Sequence, residues 1–394
     1  MRQKEQKIAK SIASIIKYLV FFSFLFSIFL PLSSYAHKPS DSYLTLWRDG
    51  QEIHAQWDIA LRDLDYAVGL DNNNDGEITW GELKVYHNTI SDYALSQFMM
   101  KTNGAYCKNE TIEHLVDKHS DGTYEVLHFK INCEGLQKVP KKFDLEYNLF
   151  FDLDPQHRGL LNIKHKGKTI SRIFSPNNST QHFNLDSQNI WSQSIDFLKE
   201  GIWHIWTGFD HILFLLALLL PSVLIRVSNT WKAVTSLKTA FWNIFKIVTA
   251  FTIAHSITLS LATLEIIQLP SRFVESIIAL SVILAALNNI YPVFKEKRWL
   301  IAFVFGLIHG FGFASVLMDL GLPKDTLLIA LLSFNVGVEV GQLVIVGAFI
   351  PFAYKLKESR LYQIIMLTGS IIIAVIALVW FIERAFNFSF FPIS

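Results

Sequence analysis

The chain has 394 residues, of which 51% are hydrophobic and 18% charged, with a formal net charge of +1. That apolar content excludes a disordered protein, and near-neutrality with no basic block beyond the extreme N-terminus excludes the electrostatic footprint of a nucleic-acid binder. The charge is unevenly spread, with 47 Asp, Glu, Lys and Arg residues in 1–200 and only 22 in 201–394, so the two halves suit different solvents.

Residues 1–36 carry Arg2, Lys4, Lys7, Lys10 and Lys17, then the apolar run Tyr18 to Leu32, then Ser34-Tyr35-Ala36. A basic head, a short apolar stretch and small residues at −3 and −1 are the pattern of a secretory signal peptide; a retained membrane anchor is the rival reading. Cleavage would free His37, a terminal residue able to chelate copper but more simply an ordinary mature end. The only two cysteines, Cys107 and Cys133, follow in the exported part, where a disulfide between them is expected.

Residues 37–190 alternate apolar and polar side chains, as in 42–47 and 145–151, and are expected to form an exported, periplasmic β-rich domain. Its one helical insertion is marked by residues 71–82. Asp71, Asn73 and Asp75 stand at loop positions 1, 3 and 5, Gly76 at the sharp turn, Glu77 at the carbonyl position, Thr79 at position 9 and Glu82 at position 12. Hard oxygen donors at this spacing, flanked by helix-compatible segments over 60–70 and 81–99, predict an EF-hand-like loop holding Ca²⁺. Asp152, Asp154 and His157 cluster after a strand and read as a turn with a salt bridge rather than a cation site.

After a polar linker, residues 195–390 form the membrane domain. Six runs are long and apolar enough to span a bilayer: 198–223, 240–265, 272–292, 299–320, 326–353 and 362–385. With the β-rich domain outside, the inner loops hold Arg226, Lys232, Lys238, Lys295, Lys297, Arg298, Lys355, Lys357 and Arg360, against Arg272 and Lys324 outside. That asymmetry places both the exported domain and the C-terminus on the periplasmic side of a bacterial inner membrane. The expected architecture is an α-helical polytopic membrane bundle of about six transmembrane helices, preceded by the exported domain.

The four histidines of residues 201–394, His204, His211, His255 and His309, all fall inside these spans. An ionisable group at membrane depth costs about 3 kcal/mol or more, so its default explanation is a functional site. His204 and His211 are seven apart on one helical face with Gly208 between and Asp210 beside them. His255 follows Thr252, Glu275 opens the third span, His309 stands among Gly306, Gly310 and Gly312, and Asn335, Glu339 and Gln342 share a face of the fifth. The topology puts His255, His309 and Glu339 near mid-membrane and His204, Asp210, His211 and Glu275 toward the outside. Imidazoles with carboxylates and no thiolate suit Ni²⁺, Co²⁺, Zn²⁺ or Cu²⁺. Gly306-x-x-x-Gly310 and Gly337-x-x-x-Gly341 read as close helix contacts.

The motifs His204-Ile-Trp-Thr-Gly208-Phe-Asp210-His211, Ala254-His255-Ser256, Gly306-Leu-Ile-His309-Gly310-Phe-Gly312 and Asn335-Val-Gly337-Val-Glu339-Val-Gly341-Gln342, with His37-Lys38-Pro39 at the mature start, resemble the HupE/UreJ family of hydrogenase and urease accessory membrane proteins. The first motif also resembles the histidine signature of nickel/cobalt permeases, though Ile205 stands where that pattern has proline. The resemblance implies movement of nickel or a related divalent metal. Three functions are therefore expected in order. The first is a divalent-metal permease or uptake accessory protein, passing its ion inward along ligands spread through the depth of the bilayer. An intramembrane zinc-dependent hydrolase of a lipid or peptide is the second; it would use Asp210 or Glu339 as general base and is favoured by ligands that converge at one depth. The last is a membrane-anchored assembly protein whose exported domain binds a periplasmic partner.

Overall fold

The computed structural model describes residues 40–386, apart from 51, 120–121, 134–139, 186–189, 228–229, 292, 294–296 and 315–323. The leader expected over 1–36 and His37 lie outside the described residues.

The N-terminal half is a β-rich region. Strands β1 (Asp41–Asp49), β2 (Glu52–Ala60), β5 (Lys108–Lys118), β6 (Thr123–Asn132), β8 (Arg158–His165) and β9 (Lys168–Phe174) form one sheet in the order β5-β6-β2-β1-β8-β9. Only β1 and β8 pair in parallel. A second sheet runs β10-β7-β3-β4, from β3 (Phe98–Thr102), β4 (Ala105–Tyr106), β7 (Lys142–Tyr147) and β10 (Thr180–Asn184). Period-two burial in β2, β3 and β7 turns one face of each sheet to a shared core, where Trp57 of the first meets Phe98 of the second at 5.8 Å between ring centroids. Strand β8 is buried on both faces over its first six residues. Leu161 and Ile163 point into the domain core while Leu160 joins the apolar cluster of the helical region. At Gly159 a Cβ would lie 2.5 Å from the Tyr147 ring, so no larger residue fits.

Cys107 and Cys133 are joined in a disulfide across the start of β5 and the end of β6. The Asp152–His157 turn is not a cation site, because both nitrogens of buried His157 face inward. Nδ1 bonds Ser40 Oγ at 2.5 Å and Nε2 bonds Tyr147 Oη at 2.6 Å. Burial, reinforced by Arg158, pushes the His157 pKa down to about 3.

Helices α1 (Leu61–Val68) and α2 (Trp80–Ser96) flank the loop at 71–82. Asp71 Oδ2 accepts from Gly76 N at 2.8 Å, Asn73 Oδ1 accepts from Asp75 N at 2.8 Å and Asp75 Oδ1 accepts from Glu77 N at 2.9 Å. Gly76 takes a φ of 82°, which glycine adopts without strain. The Glu82 carboxylate turns back onto Thr79, completing a capping box at the start of α2.

The C-terminal half is helical: α3 (Ile190–Thr207), α4 (Phe209–Leu219), α5 (Leu237–Thr263), α6 (Ser271–Ile290), α7 (Arg298–His309), α8 (Lys324–Leu356) and α9 (Arg360–Phe386), with a hairpin of β11 (Leu224–Val227) and β12 (Thr230–Ala233) between α4 and α5. Among the described residues, four helices, 237–263, 271–290, 326–356 and 360–386, are long and apolar enough to cross a membrane, and α3 with α4 makes a fifth if the bent pair counts as one span. This is fewer than the six expected from hydropathy. The segment expected over 299–320 is described as the 12-residue α7 followed by turns through Phe313. The one expected over 198–223 begins earlier and bends by 70° at Gly208. Ile371, Val375 and Leu378 of α9 and Leu328, Leu332 and Val336 of α8 are exposed, as lipid-facing residues of a bundle are.

Glycines set the helix spacing. A Cβ on Gly201 would meet Phe334 O at 2.0 Å and one on Gly337 would meet Leu198 O at 2.1 Å, so α3 and α8 touch backbone to backbone. Gly306 against Phe251 O (2.4 Å) and Gly310 against His255 O (2.4 Å) do the same for α7 and α5. The β-rich region is fastened to α3 by two ion pairs, Arg158 with Glu200 at 3.1 Å and Arg172 with Asp196 at 2.6 Å.

Candidate metal centre

The break at Gly208 is the local fact on which the centre turns. Its φ of −69° and ψ of 100° leave the helical region, so α3 ends at Thr207 and α4 restarts at Phe209. A Cβ here would come within 2.6 Å of His204 O and 2.9 Å of His211 Nδ1. His204 and His211 therefore do not ride one straight helical face, as their spacing of seven suggests. They approach from two half-helices, their ring centroids 4.6 Å apart.

Around this bend the other histidines close in. The His211 ring centroid lies 6.2 Å from that of His255 on α5 and 5.3 Å from that of His309 at the end of α7, and His204 lies 6.3 Å from His255. One donor atom each from His204, His211 and His255 fall within 4.8 Å of one another, and so do those of Asp210, His211 and His309. His211 belongs to both triads. His255 is 0%, His309 1% and His211 4% exposed, so three imidazoles sit where water does not reach.

The hydrogen bonding divides the rings of His211, His255 and His309 into a held nitrogen and an open one. His211 Nδ1–H donates to Asp210 Oδ1 at 2.9 Å, His255 Nδ1–H donates to Asn335 Oδ1 at 3.2 Å and His309 Nε2 bonds Ser281 Oγ at 3.0 Å. Opposite these, His211 Nε2, His255 Nε2, His309 Nδ1 and His204 Nε2 are buried without a hydrogen-bond partner. Orphaned buried nitrogens are costly. A ring fixed through one nitrogen by a carboxylate, amide or hydroxyl, with the lone pair of the other directed inward, is the arrangement of metal-ligating histidine. Phe214 and Phe251 pack on His309 at 5.1 and 5.2 Å, and Phe313 packs on His204 at 4.6 Å, giving the cluster an apolar shell.

Not every expected residue joins. Asn335 acts through His255 and not as a member of either triad. Glu339 Oε1 accepts from Thr249 Oγ1 at 2.6 Å while its Oε2 is buried without a partner. Gln342 accepts from Thr252 at 3.1 Å. Glu275 stands apart, bonded to Ser271 and paired with Arg384 at 3.2 Å, where it braces the ends of α6 and α9. All four histidines converge around Gly208, as expected of residues that meet in one cavity. Sequence reasoning passed over Ser281 and Thr249. A lone hydroxyl in an apolar helix commonly bonds its own backbone, and Ser281 also does so, to Ile278 O at 2.6 Å.

Residues 179–384, more than half of the chain and including every residue of the centre, match the family model described as HupE / UreJ protein. The chain belongs to the HupE/UreJ family. That membership points to a metal-related, nickel- or cobalt-type transport or accessory role, and with the apolar helices it marks a membrane protein. No curated protein matches the chain. The HupE/UreJ match begins one residue before the last strand of the β-rich region, so the rest of the sheets, the disulfide and the 71–82 loop lie outside it.

Proposed function

We propose that this HupE/UreJ protein is a carrier that takes one divalent cation of nickel or cobalt type across the inner membrane, with the β-rich region and the C-terminus on the periplasmic side. The observation that carries the reading is the set of four histidines whose unpartnered nitrogens converge at a broken helix. Discontinuous helices around a central site are how many carriers bind an ion that must later be released. His204, His211, His255 and His309 with Asp210 would ligate the ion, Asn335 and Ser281 orient the rings, and Glu339 supplies a further charge on α8. Both ends outside needs an even number of crossings, and α7 would supply a sixth beside the five that the other helices offer.

Convergence alone also suits a hydrolase, but Asp210 is engaged with His211, and Glu339, whose Oε2 is open, belongs to neither triad. In the β-rich region, residues 71–82 hold Ca²⁺ once Glu82 leaves its cap, as a structural clamp on α1 and α2. The test of the carrier is uptake of Ni²⁺ and Co²⁺ into proteoliposomes loaded with a metal-sensitive dye. Wild type is expected to fill the vesicles and His255→Ala to fall to the rate of empty liposomes; equal influx by the two would end the proposal.

A further inference from the structure

A second group of metal-competent side chains lies far from the membrane helices. His87 on α2, His114 on β5 and Glu125 on β6 each offer a donor atom within 4.8 Å of the other two. The way the chain brings them together is specific. Strand β5 pairs with β6 as Thr111 with Phe129, then Glu113 with His128 and His114 with Leu127, a register shift that inserts one residue at Ile112. Without that bulge, alternation would turn His114 to the opposite face of the sheet. With it, His114 shares the inner face of Leu127 and Glu125 and meets α2. Bulges re-aim side chains in this manner.

The chemistry of the group is that of a ligand set. Glu125 is 0% exposed, with Oε1 bonded to His114 Nδ1 at 2.5 Å and Oε2 buried without a partner. His114 Nε2 is held by Ser91 Oγ at 2.9 Å, one helical turn after His87. The His87 ring stacks on His114 at 4.1 Å between centroids, and its Nε2 is also buried without a partner. A carboxylate buried among apolar core residues with one oxygen unsatisfied is expensive.

We propose that His87, His114 and Glu125 form a second transition-metal site, taking a divalent ion of the zinc, cobalt, nickel or copper class in the β-rich region. Two imidazole nitrogens and one carboxylate oxygen, without thiolate, match that class and not Ca²⁺ or Mg²⁺. Three protein ligands leave a position for water or for a group from a partner. Ser91 fixes the His114 ring as the outer hydrogen bond of a ligating histidine does. The site stands on its own residues and does not depend on the carrier reading.

The test uses the full-length protein in detergent, stripped with chelator, in millimolar Ca²⁺ so that any calcium loop is filled. Co²⁺ is titrated, and bound metal is counted by equilibrium dialysis and by its visible d–d absorption. The background is His211→Ala, which removes the residue common to both membrane triads. One equivalent of Co²⁺ is expected to remain in this background and to disappear in His211→Ala/His87→Ala, with the thermal unfolding of the two proteins matching, because His87 is half-exposed on a helix. Glu125→Gln is expected to weaken the retained equivalent by at least about tenfold. The proposal is overturned if His211→Ala protein binds no Co²⁺, or if adding His87→Ala leaves the retained equivalent in place. Failure of the carrier reading looks different: wild type and His211→Ala would then bind equal metal, all of it lost with His87→Ala.

Discussion

Replacing His211 by alanine takes an imidazole from both membrane triads, whereas His204 and His255 serve only the first and His309 only the second. Loss of a group that merely orients a ligand costs about 10–100-fold in metal affinity, and loss of the ligand itself costs at least that. His204→Ala, His255→Ala and His309→Ala should therefore each weaken binding by about 10–100-fold, equivalent to about 1.4–2.7 kcal/mol. His211→Ala counts twice, which gives about 10²–10⁴-fold by the same arithmetic. It also strips Asp210 of its hydrogen-bonded partner beside the helix break. The assay is competition of Ni²⁺ or Co²⁺ between the detergent-purified protein and a chromogenic chelator, with far-UV circular dichroism to confirm helix content. The order of the four variants is the decisive readout. If His204→Ala or His309→Ala weakens binding more than His211→Ala, or if His211→Ala stays within about threefold of wild type, the two triads do not share one ion and the reasoning fails.

Three further outcomes follow from the packing and the protonation states. Gly337→Ala would place a Cβ 2.1 Å from Leu198 O, forcing α3 and α8 apart by about 1 Å; thermal unfolding in detergent should drop sharply, while Gly347→Ala, with nothing within 4 Å, should be neutral or stabilising by up to about 1 kcal/mol. His157, whose pKa falls from 6.5 to about 3 in the fold, is neutral when folded but protonates when unfolded, so its contribution is present above pH 6.5 and is lost as pH falls toward 3. The difference in unfolding free energy between wild type and His157→Gln should thus shrink over that window, by at most about 1.4 kcal/mol per pH unit, and a difference independent of pH would show that His157 does not titrate this way. Calorimetry with Ca²⁺ should give one binding event that Asp71→Ala abolishes, and heat that is unchanged in the variant would remove residues 71–82 from consideration.

Much of the helical half is legible in the sequence because a bilayer imposes one rule on every residue. Polar groups in apolar runs stand out, and His204, Asp210, His211, His255 and His309 were findable on cost alone. Their distances were not. Counting along a straight helix puts His204 and His211 about 10 Å apart, and only the turn at Gly208 brings their ring centroids to 4.6 Å. A glycine in an apolar run reads as close packing, which describes Gly201 and Gly337 correctly and Gly208 not at all. The same limit removed Glu275 from the centre, since a carboxylate near a span end serves an ion or a neighbouring Arg384 with equal ease. In the β-rich region the loop at 71–82 announces itself by local spacing. His87, His114 and Glu125 carry no such signal, because one inserted residue at Ile112 decides which way His114 points.

The glycine contacts have a mechanical meaning. Gly201 and Gly337 weld α3 to α8, and Gly306 and Gly310 weld α7 to α5; neither joint can slide without unpacking backbone from backbone. Between the two welded blocks the connections are of another kind: Thr249 to Glu339, Thr252 to Gln342 and His255 to Asn335. Side-chain bonds of this sort can part without unpacking backbone from backbone. The bundle thus has a parting line, with His204 on one block and His255 and His309 on the other. An ion gripped from both sides would be the rivet across that line, and drawing it out would free the blocks to separate.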